Sequence, residues 1–364
     1  MVAARPAGAA ITGMGTALPE RVHQRELWDG YFRHHFPNGR VPERIFIGCG
    51  VRSRHAVANP LVEDISRTST EHRMRRYARE SPALGKHAVA AALASAGLDG
   101  ADVGLLAVAS CTGYTTPGLD LQLASSLGMP VNTRRLLVGH MGCYAALPSL
   151  AAVNDFVLAQ RRPAVLLCVE LTSLHLQPPD GDTGQVVVHA LFGDAACAVV
   201  VRPDSTAGRD GTAGGDGTAG ALRVVDFAVR TDATSAEHMT WEITDLGFRM
   251  GLSPQVPAVL ARHVRPTVTE LLGANGLRTE DVSAWAVHPG GPKILETVQR
   301  ELGLSDAHLA PSRAVLAEYG NCSSATVLMI LDRLRSAGQP PPGGVAVMMA
   351  FGPGLTLYTA LLRA

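Results

Sequence analysis

Three residues are of types that, brought together, would support covalent catalysis: Cys143, His288 and Asn321. Cys143 follows Gly139-His140-Met141-Gly142 and opens a helix-like run, CYAALPSLAAVNDFVLAQ. A helix start offers unpaired N–H groups and a partial positive charge, and both favour a thiolate. Taken alone, such a Cys is more often a small buried apolar side chain. His288 ends an apolar strand before Gly290-Gly291, where α/β proteins concentrate functional groups, although a lone His is more often a cap or a partly buried side chain. Asn321 opens a second helix-like run, NCSSATVLMILDRLRSAG, where Asn is also an ordinary N-cap.

An internal repeat ties the three together. AGLDGADVGLLAV from Ala96 and NGLRTEDVSAWAV from Asn275 match in Gly, Leu, Asp, Val, Ala and Val at one constant offset, from Gly97/Gly276 to Val108/Val287. Each copy follows a helix-like run (85–96 and 256–274) and enters a short apolar strand. Cys143 and Asn321 stand in the same register within one residue. Farther on, Phe192-Gly193-Asp194 leads into AACAVVV, and Phe351-Gly352-Pro353 into LTLYTALL. Two halves, 1–221 and 222–364, thus share one order of helix, strand, turn, buried helix, strand, turn and strand. Alternating α and β with apolar strands predicts an α/β fold with covered sheets, and duplication with a central helix in each half predicts five layers, αβαβα. The two buried helices should meet with their N-termini close together. A thiol, an imidazole and an amide then share one pseudo-twofold axis, where the N–H donors suit an oxyanion.

Composition excludes several classes. With 364 residues, 46% hydrophobic and 18% charged, the chain is not disordered. Lys plus Arg and Asp plus Glu are 32 each, so no basic excess points to nucleic acid or an anionic membrane. No apolar run of 18 residues predicts a membrane span, and the N-terminal residues lack the apolar core of a signal peptide. Six Cys without CxxC pairs fit reduced thiols in a cytoplasmic enzyme. His34-His35 has no metal-ligand spacing, and Gly13-Met14-Gly15 lacks the third glycine of a dinucleotide loop, Leu standing at 18. The stretch from Asp204 to Gly220, with Gly-Thr-Ala-Gly twice, and the run Pro340–Gly344 read as surface loops.

Six segments resemble type III polyketide synthases, the chalcone- and stilbene-synthase-like branch of the thiolase superfamily. They are CTGYTTPGLDLQL from Cys111, GHMGCYAALP, ALFGDAA, HPGGPKIL from His288, YGNCSS and FGPGLT from Phe351. The resemblance runs in family order over nearly the whole chain and is of the bacterial type. It implies a thiolase-like fold, a Cys143–His288–Asn321 triad, and gatekeeper phenylalanines at Phe192 and Phe248, which otherwise read as ordinary core Phe. It implies that Cys143 takes a starter from acyl-CoA and that malonyl-CoA, decarboxylated beside His288 and Asn321, extends it. CoA thioesters are the substrates, and neither a metal nor another cofactor is implied.

The resemblance also implies a cavity lined by Cys111, Thr112, Glu170, Thr172, His175, Met239, Trp241, Ser323 and the loop Gly352-Pro353-Gly354, with CoA contacts at Arg44, Arg52 and Lys293 and, as a further substitute, Arg54. Cys111, as in tetrahydroxynaphthalene synthases, stands where plant enzymes have Thr, next to Glu170 and Ser323. Thr116 replaces the Met that crosses the plant dimer interface, so a homodimer is implied. His175 replaces a smaller Thr. The expected product is a pyrone or a resorcinol-type phenol. The alternatives are a tetrahydroxynaphthalene-type product, a ketosynthase III using malonyl on a carrier protein, and a degenerate thiolase-fold partner subunit. His288-Pro289-Gly290-Gly291, in place of the His-Gln-Ala-Asn that ketosynthases III resemble, disfavours the second alternative. The filled triad disfavours the third.

Overall fold

The computed structural model describes residues 8–36, 39–179, 181–204 and 220–364. Most of the Gly-Thr-Ala-rich stretch, 205–219, lies outside the described residues. Nine strands form one continuous sheet in the order Val282–Val287, Val345–Gly352, Thr356–Arg363, Leu222–Thr231, Ala9–Ala17, Ala195–Pro203, Ala164–Glu170, Leu105–Ser110, Arg134–Gly139. The halves join where Ala9–Ile11 pairs with Leu222–Val224.

The duplication holds strand by strand. Leu105–Ser110 runs parallel to Ala164–Glu170 in the first half, as Val282–Val287 does to Val345–Gly352 in the second. The two segments that begin Phe-Gly then turn each chain into an antiparallel partner, Ala195–Pro203 or Thr356–Arg363. Gly97 and Gly276, equivalent in the repeat, take φ +64° and +67°. One element breaks the symmetry. Arg134–Gly139 adds an outer parallel strand to the first half, and among the described residues the second half has no counterpart. The helix Asp306–Tyr319 instead runs straight into Gly320.

Strand side chains alternate between two cores. Leu166 and Cys168 face the centre with Ala107, Ala109, Ala284, Ala286 and Ala346. Val165, Leu167 and Val169 face the outer helix Thr70–Ser95, and Trp285 and Val287 face Val256–Ala274. The central core holds the helices Ala146–Gln160 and Ala325–Ser336, which makes five layers. Many inner strand positions are Ala, which leaves room for two helices between the sheets. The segment Gly142–Gln160 is apolar enough to cross a bilayer, but it lies in this core rather than facing lipid.

The glycines of Gly13-Met14-Gly15 serve close packing. A Cβ at Gly13 would stand 2.2 Å from the Ala92 carbonyl oxygen, and one at Gly15 2.5 Å from that of Ala88. The outer helix thus rests directly on the first strand. Gly13→Ala should force them apart and lower unfolding free energy by about 1–3 kcal/mol, the usual cost of overpacking. Urea unfolding with an unchanged midpoint would contradict this.

Candidate active site

Two equivalent glycine turns deliver the reactive groups. Gly142 and Gly320 both have φ +74°, a left-handed conformation that only Gly adopts without strain. A Cβ on Gly142 would lie 2.7 Å from Pro353 Cδ, and one on Gly320 2.7 Å from the Leu191 carbonyl oxygen. The next residues are Cys143 and Asn321. Neither is the first residue of its central helix, as the sequence had suggested: Cys143 lies in the 3₁₀ turn Gly142–Tyr144, and Asn321 lies four residues before Ala325. Gly352 of the FGPG loop closes over this turn, since a Cβ there would meet the Cys143 nitrogen at 3.3 Å.

His288 follows the strand Val282–Val287, is 0% exposed, and meets the Phe351 ring edge-on at 5.6 Å. Cys143, His288 and Asn321 line one cavity of about 300 Å³ with Phe192, Met239, Met250 and Phe351. Asn321 is held at three atoms. Its N–H donates to Leu191 O (2.7 Å), its carbonyl accepts from Gly193 N–H (3.1 Å), and its Oδ1 accepts from Ser323 N–H (2.8 Å). With the amide oxygen engaged, Nδ2 is left as the donor, and Cys143 is hydrogen-bonded by Asn321 and Ser323. Neither ring nitrogen of His288 has a partner.

Burial decides the protonation states, against the expectation of a thiolate. Removal from water pushes the Cys143 thiol up to about 12, with the Ser323 and Asn321 hydrogen bonds pulling the other way. Burial alone drives His288 down to about 3. In the resting site burial therefore favours the neutral thiol and the neutral imidazole over their charged forms.

A second cavity, about 320 Å³, adjoins the first through Cys143, Phe192 and Met250, and adds Cys111, Thr112, Thr172, Trp241, Ser323 and Pro353. Glu170, expected in the cavity wall, does not itself line this cavity; it lies wholly buried against Cys111 and Thr112, with its carboxyl raised by desolvation. It accepts from Cys111 N–H (3.0 Å), Thr112 Oγ1 (2.8 Å) and Ser324 Oγ (2.5 Å). Cys111 Sγ lies 3.4 Å from Glu170 Oε1 and 3.3 Å from Ser323 Oγ, so the Ser323 hydroxyl touches both sulfurs.

A third and larger cavity, about 650 Å³, shares Thr172, Phe192, Trp241 and Met250 with the second. His175 and Phe248 stand in its wall, stacked at 4.3 Å. His175 Nδ1 accepts from Phe248 N–H (2.9 Å), so Nε2 carries the proton and donates to Thr112 O (2.7 Å). Burial pushes His175 down to about 3. Trp241 Nε1 donates to Cys111 O (2.7 Å).

Several other residues expected at the site fall outside these cavities. Thr116 is exposed, with its hydroxyl against Tyr114 OH (3.4 Å). Arg44, Arg52 and Lys293 are exposed and line none of the three cavities; Arg52 and Lys293 adjoin the Gly50–Pro292 contact. Gly354 takes φ +123° in its loop. Arg54 is not available to CoA. It is 6% exposed, and its guanidinium donates to the carbonyls of His189, Ala190 and Phe192 and to Gln24 Oε1. Among the described residues no three His, Cys, Asp or Glu gather to hold a metal.

The sequence reading missed Arg73, which is 0% exposed and sends all its donors to the carbonyls of Ile65, Ser66, Thr68, Leu174 and Leu176. It also missed Met250, which lines all three cavities. Neither had a sequence signal: one Arg among many in a basic helix, and one Met in a short strand.

Residues 2–205 match the family described as chalcone and stilbene synthases, N-terminal domain, and residues 227–364 match its C-terminal domain. The chain belongs to this family. It is a type III polyketide synthase, an acyltransferase with the thiolase-like fold. Among curated relatives, 1,3,6,8-tetrahydroxynaphthalene synthase of Streptomyces peucetius subsp. caesius is 36% identical, over 98% of this chain and 93% of its own. An alpha-pyrone synthesis polyketide synthase-like protein, Pks18, of Mycobacterium tuberculosis is 31% identical over 96% and 89%. Among solved structures, PKS-I of the brown alga Ectocarpus siliculosus superposes with a TM-score of 0.90 at 29% identity, covering 99% of both chains.

Two buried neutral histidines give this synthase an acid-sensitive fold. An unfolded His titrates near 6.5, whereas His175 and His288 are held near 3. The unfolded chain therefore binds more protons between those values, and stability is lost as pH falls from about 6.5 towards 3. The limiting slope is about 1.4 kcal/mol per pH unit for each group. His175→Gln should make the acid limb of stability against pH shallower. An identical slope in the variant would refute this.

Proposed function

We propose that this synthase loads an acyl-CoA starter on Cys143, extends it with malonyl-CoA, and releases a pyrone or resorcinol-type phenol. The observation that carries this reading is the shared cavity of Cys143, His288 and Asn321, with a neutral thiol, a neutral imidazole and an amide whose orientation is set. The Cys143 proton passes to His288 as Sγ attacks the starter carbonyl. The C–S bond to CoA then breaks, and the imidazolium returns the proton to the leaving thiolate. Malonyl-CoA next places its thioester oxygen against the N–H of His288 and Nδ2 of Asn321. The carboxylate leaves as CO2, and its bonding electrons form an enolate that these donors hold. The enolate carbon attacks the Cys143 thioester, forming a C–C bond and breaking the bond to Sγ. Phe192 and the apolar walls keep water from the enolate.

The large side cavity supports the choice of an acyl-CoA starter. It lies beyond the second cavity, and Leu27, Phe32, Ala56, Val188 and Phe248 give it an apolar wall. The adjoining Cys111, Ser323 and Cys143 support a second reading, a tetrahydroxynaphthalene product from malonyl-CoA alone. Incubation with malonyl-CoA alone and with a series of acyl-CoAs, read by product mass, separates the two. Acyl-primed products support the first reading, and a tetrahydroxynaphthalene made without a primer overturns it.

Asn321→Ala should lower decarboxylation and condensation by about 10²–10³, the usual cost of one oxyanion donor, while Cys143 still forms an acyl adduct. Cys143→Ala should abolish elongation. An elongating Cys143→Ala enzyme would end the covalent mechanism.

We further propose a cytoplasmic homodimer. The edge strand Arg134–Gly139 is paired on one side, and Leu136, Leu137, Leu121, Val131 and Tyr114 are exposed around it. Such an apolar edge favours pairing with another chain, and a closed twofold contact is the commonest outcome. Six free buried thiols suit a reducing compartment. Leu137→Lys should yield monomer in sedimentation, and Thr116→Phe should shorten the products by narrowing the partner's cavity. A fully active wild-type monomer would refute the dimer.

A further inference from the structure

The side cavity carries a feature that condensation does not use. Two of its wall residues, Gln185 and Arg54, each hold a buried polar atom without a hydrogen-bond partner, Gln185 Oε1 and Arg54 Nε. Gln185 is 3% exposed and Arg54 6%. The amide orientation of Gln185 is decided by its neighbour: Met250 O accepts at 2.7 Å, which only the amino end can satisfy, so the oxygen is the unpaired atom. The terminal nitrogens of Arg54 are committed to carbonyls at the end of the helix Thr183–Leu191 and to Gln24, which leaves Nε–H. Gln185 stands one turn before His189 on that helix, and the Arg54 guanidinium is bonded to the His189 carbonyl, so both groups are tied to the same helix.

Buried polar groups in native proteins are almost all paired, and an unpaired one is costly. In this site the signature already has a functional example. His288 is also buried with unpartnered nitrogens, and it lines the cavity that holds Cys143 and Asn321.

We propose that the side cavity recognises a hydroxyl group on the distal part of the starter acyl chain. A hydroxyl donates one hydrogen bond and accepts others, so it can satisfy Gln185 Oε1 and Arg54 Nε–H together. An alkyl end leaves both unpaired. A carboxylate would suit Arg54 but bring acceptor against acceptor at Gln185. The inference rests on the reading that the starter chain enters this cavity, and it names the chemistry that the cavity selects: hydroxyacyl-CoA over plain acyl-CoA.

The test uses the full-length enzyme and two matched series, straight acyl-CoAs of increasing length and their ω-hydroxyl counterparts, each with malonyl-CoA. The readouts are the Cys143 adduct by mass spectrometry and kcat/KM for extended product. At the length that reaches the cavity, the wild type should prefer the hydroxylated starter by about tenfold or more. Gln185→Leu should erase that preference, and Val188→Phe, which fills the cavity, should shift both series to shorter chains. Equal kcat/KM for both series at every length would overturn the hydroxyl site while leaving the acyl cavity standing. A preference unchanged in Gln185→Leu would overturn its location. Failure of the wild type to extend any primer beyond the shortest would instead refute acyl entry, and the inference with it. Thermal melts check that the variants fold, and the wild-type comparison decides the question without them.

Discussion

Close backbone approach at the glycine turns before Cys143 and Asn321 is the constraint from which the rest of the site follows. Pro353 crowds Gly142 and the Leu191 carbonyl crowds Gly320, leaving no space for a side chain at either. Both residues sit at φ +74°, so the chain turns sharply there, after the strand Arg134–Gly139 in one half and the helix Asp306–Tyr319 in the other, and enters a central helix within a few residues. The helices must enter side by side because both are packed between the same two layers of small strand residues. The nucleophile and the amide are therefore neighbours by construction. His288 joins them from the end of a third element, with its backbone N–H tied to Met349 O at 2.8 Å.

The same packing makes the site dry, and dryness sets its electrostatics. Thiol and imidazole are both driven to their neutral forms, and the buried Glu170 carboxyl is pushed up as well. Charge then appears only during reaction, where oriented donors replace water around it. This is the condition in which such donors act most strongly.

Keeping the cavity walls in place requires buried charge elsewhere. Arg73 clamps five carbonyls, and its side chain lies where a Cβ on Gly247 would fall, beside His175 and Phe248. Asp194 accepts from Val57 and Ser173 N–H, both at 2.8 Å, and from the hydroxyls of Ser173 and Thr172, fixing the Phe192 turn. Arg54 ties that turn to the strand Ser53–Ala56. These groups bind backbone in place of solvent, so loops that would otherwise be mobile hold gate and wall residues rigidly.

The repeat offset, the apolar strands and the glycine turns were enough to select Cys143, His288 and Asn321 and to foresee five layers, because local pattern and register survive folding unchanged. The Cys111–Glu170–Ser323 contact followed from family resemblance. The outer strand Arg134–Gly139 could not be found by symmetry, because it has no counterpart. Arg54, expected as a substitute CoA contact, lies buried among carbonyls contributed by a helix more than a hundred residues away. The tertiary structure also decided that Thr116 is exposed, that Met250 lines three cavities, and that burial raises the pKa of the Cys143 thiol. Each of these depends on which distant segments exclude water from a given side chain. Desolvation is a property of the assembled chain, and no short run of residues encodes it.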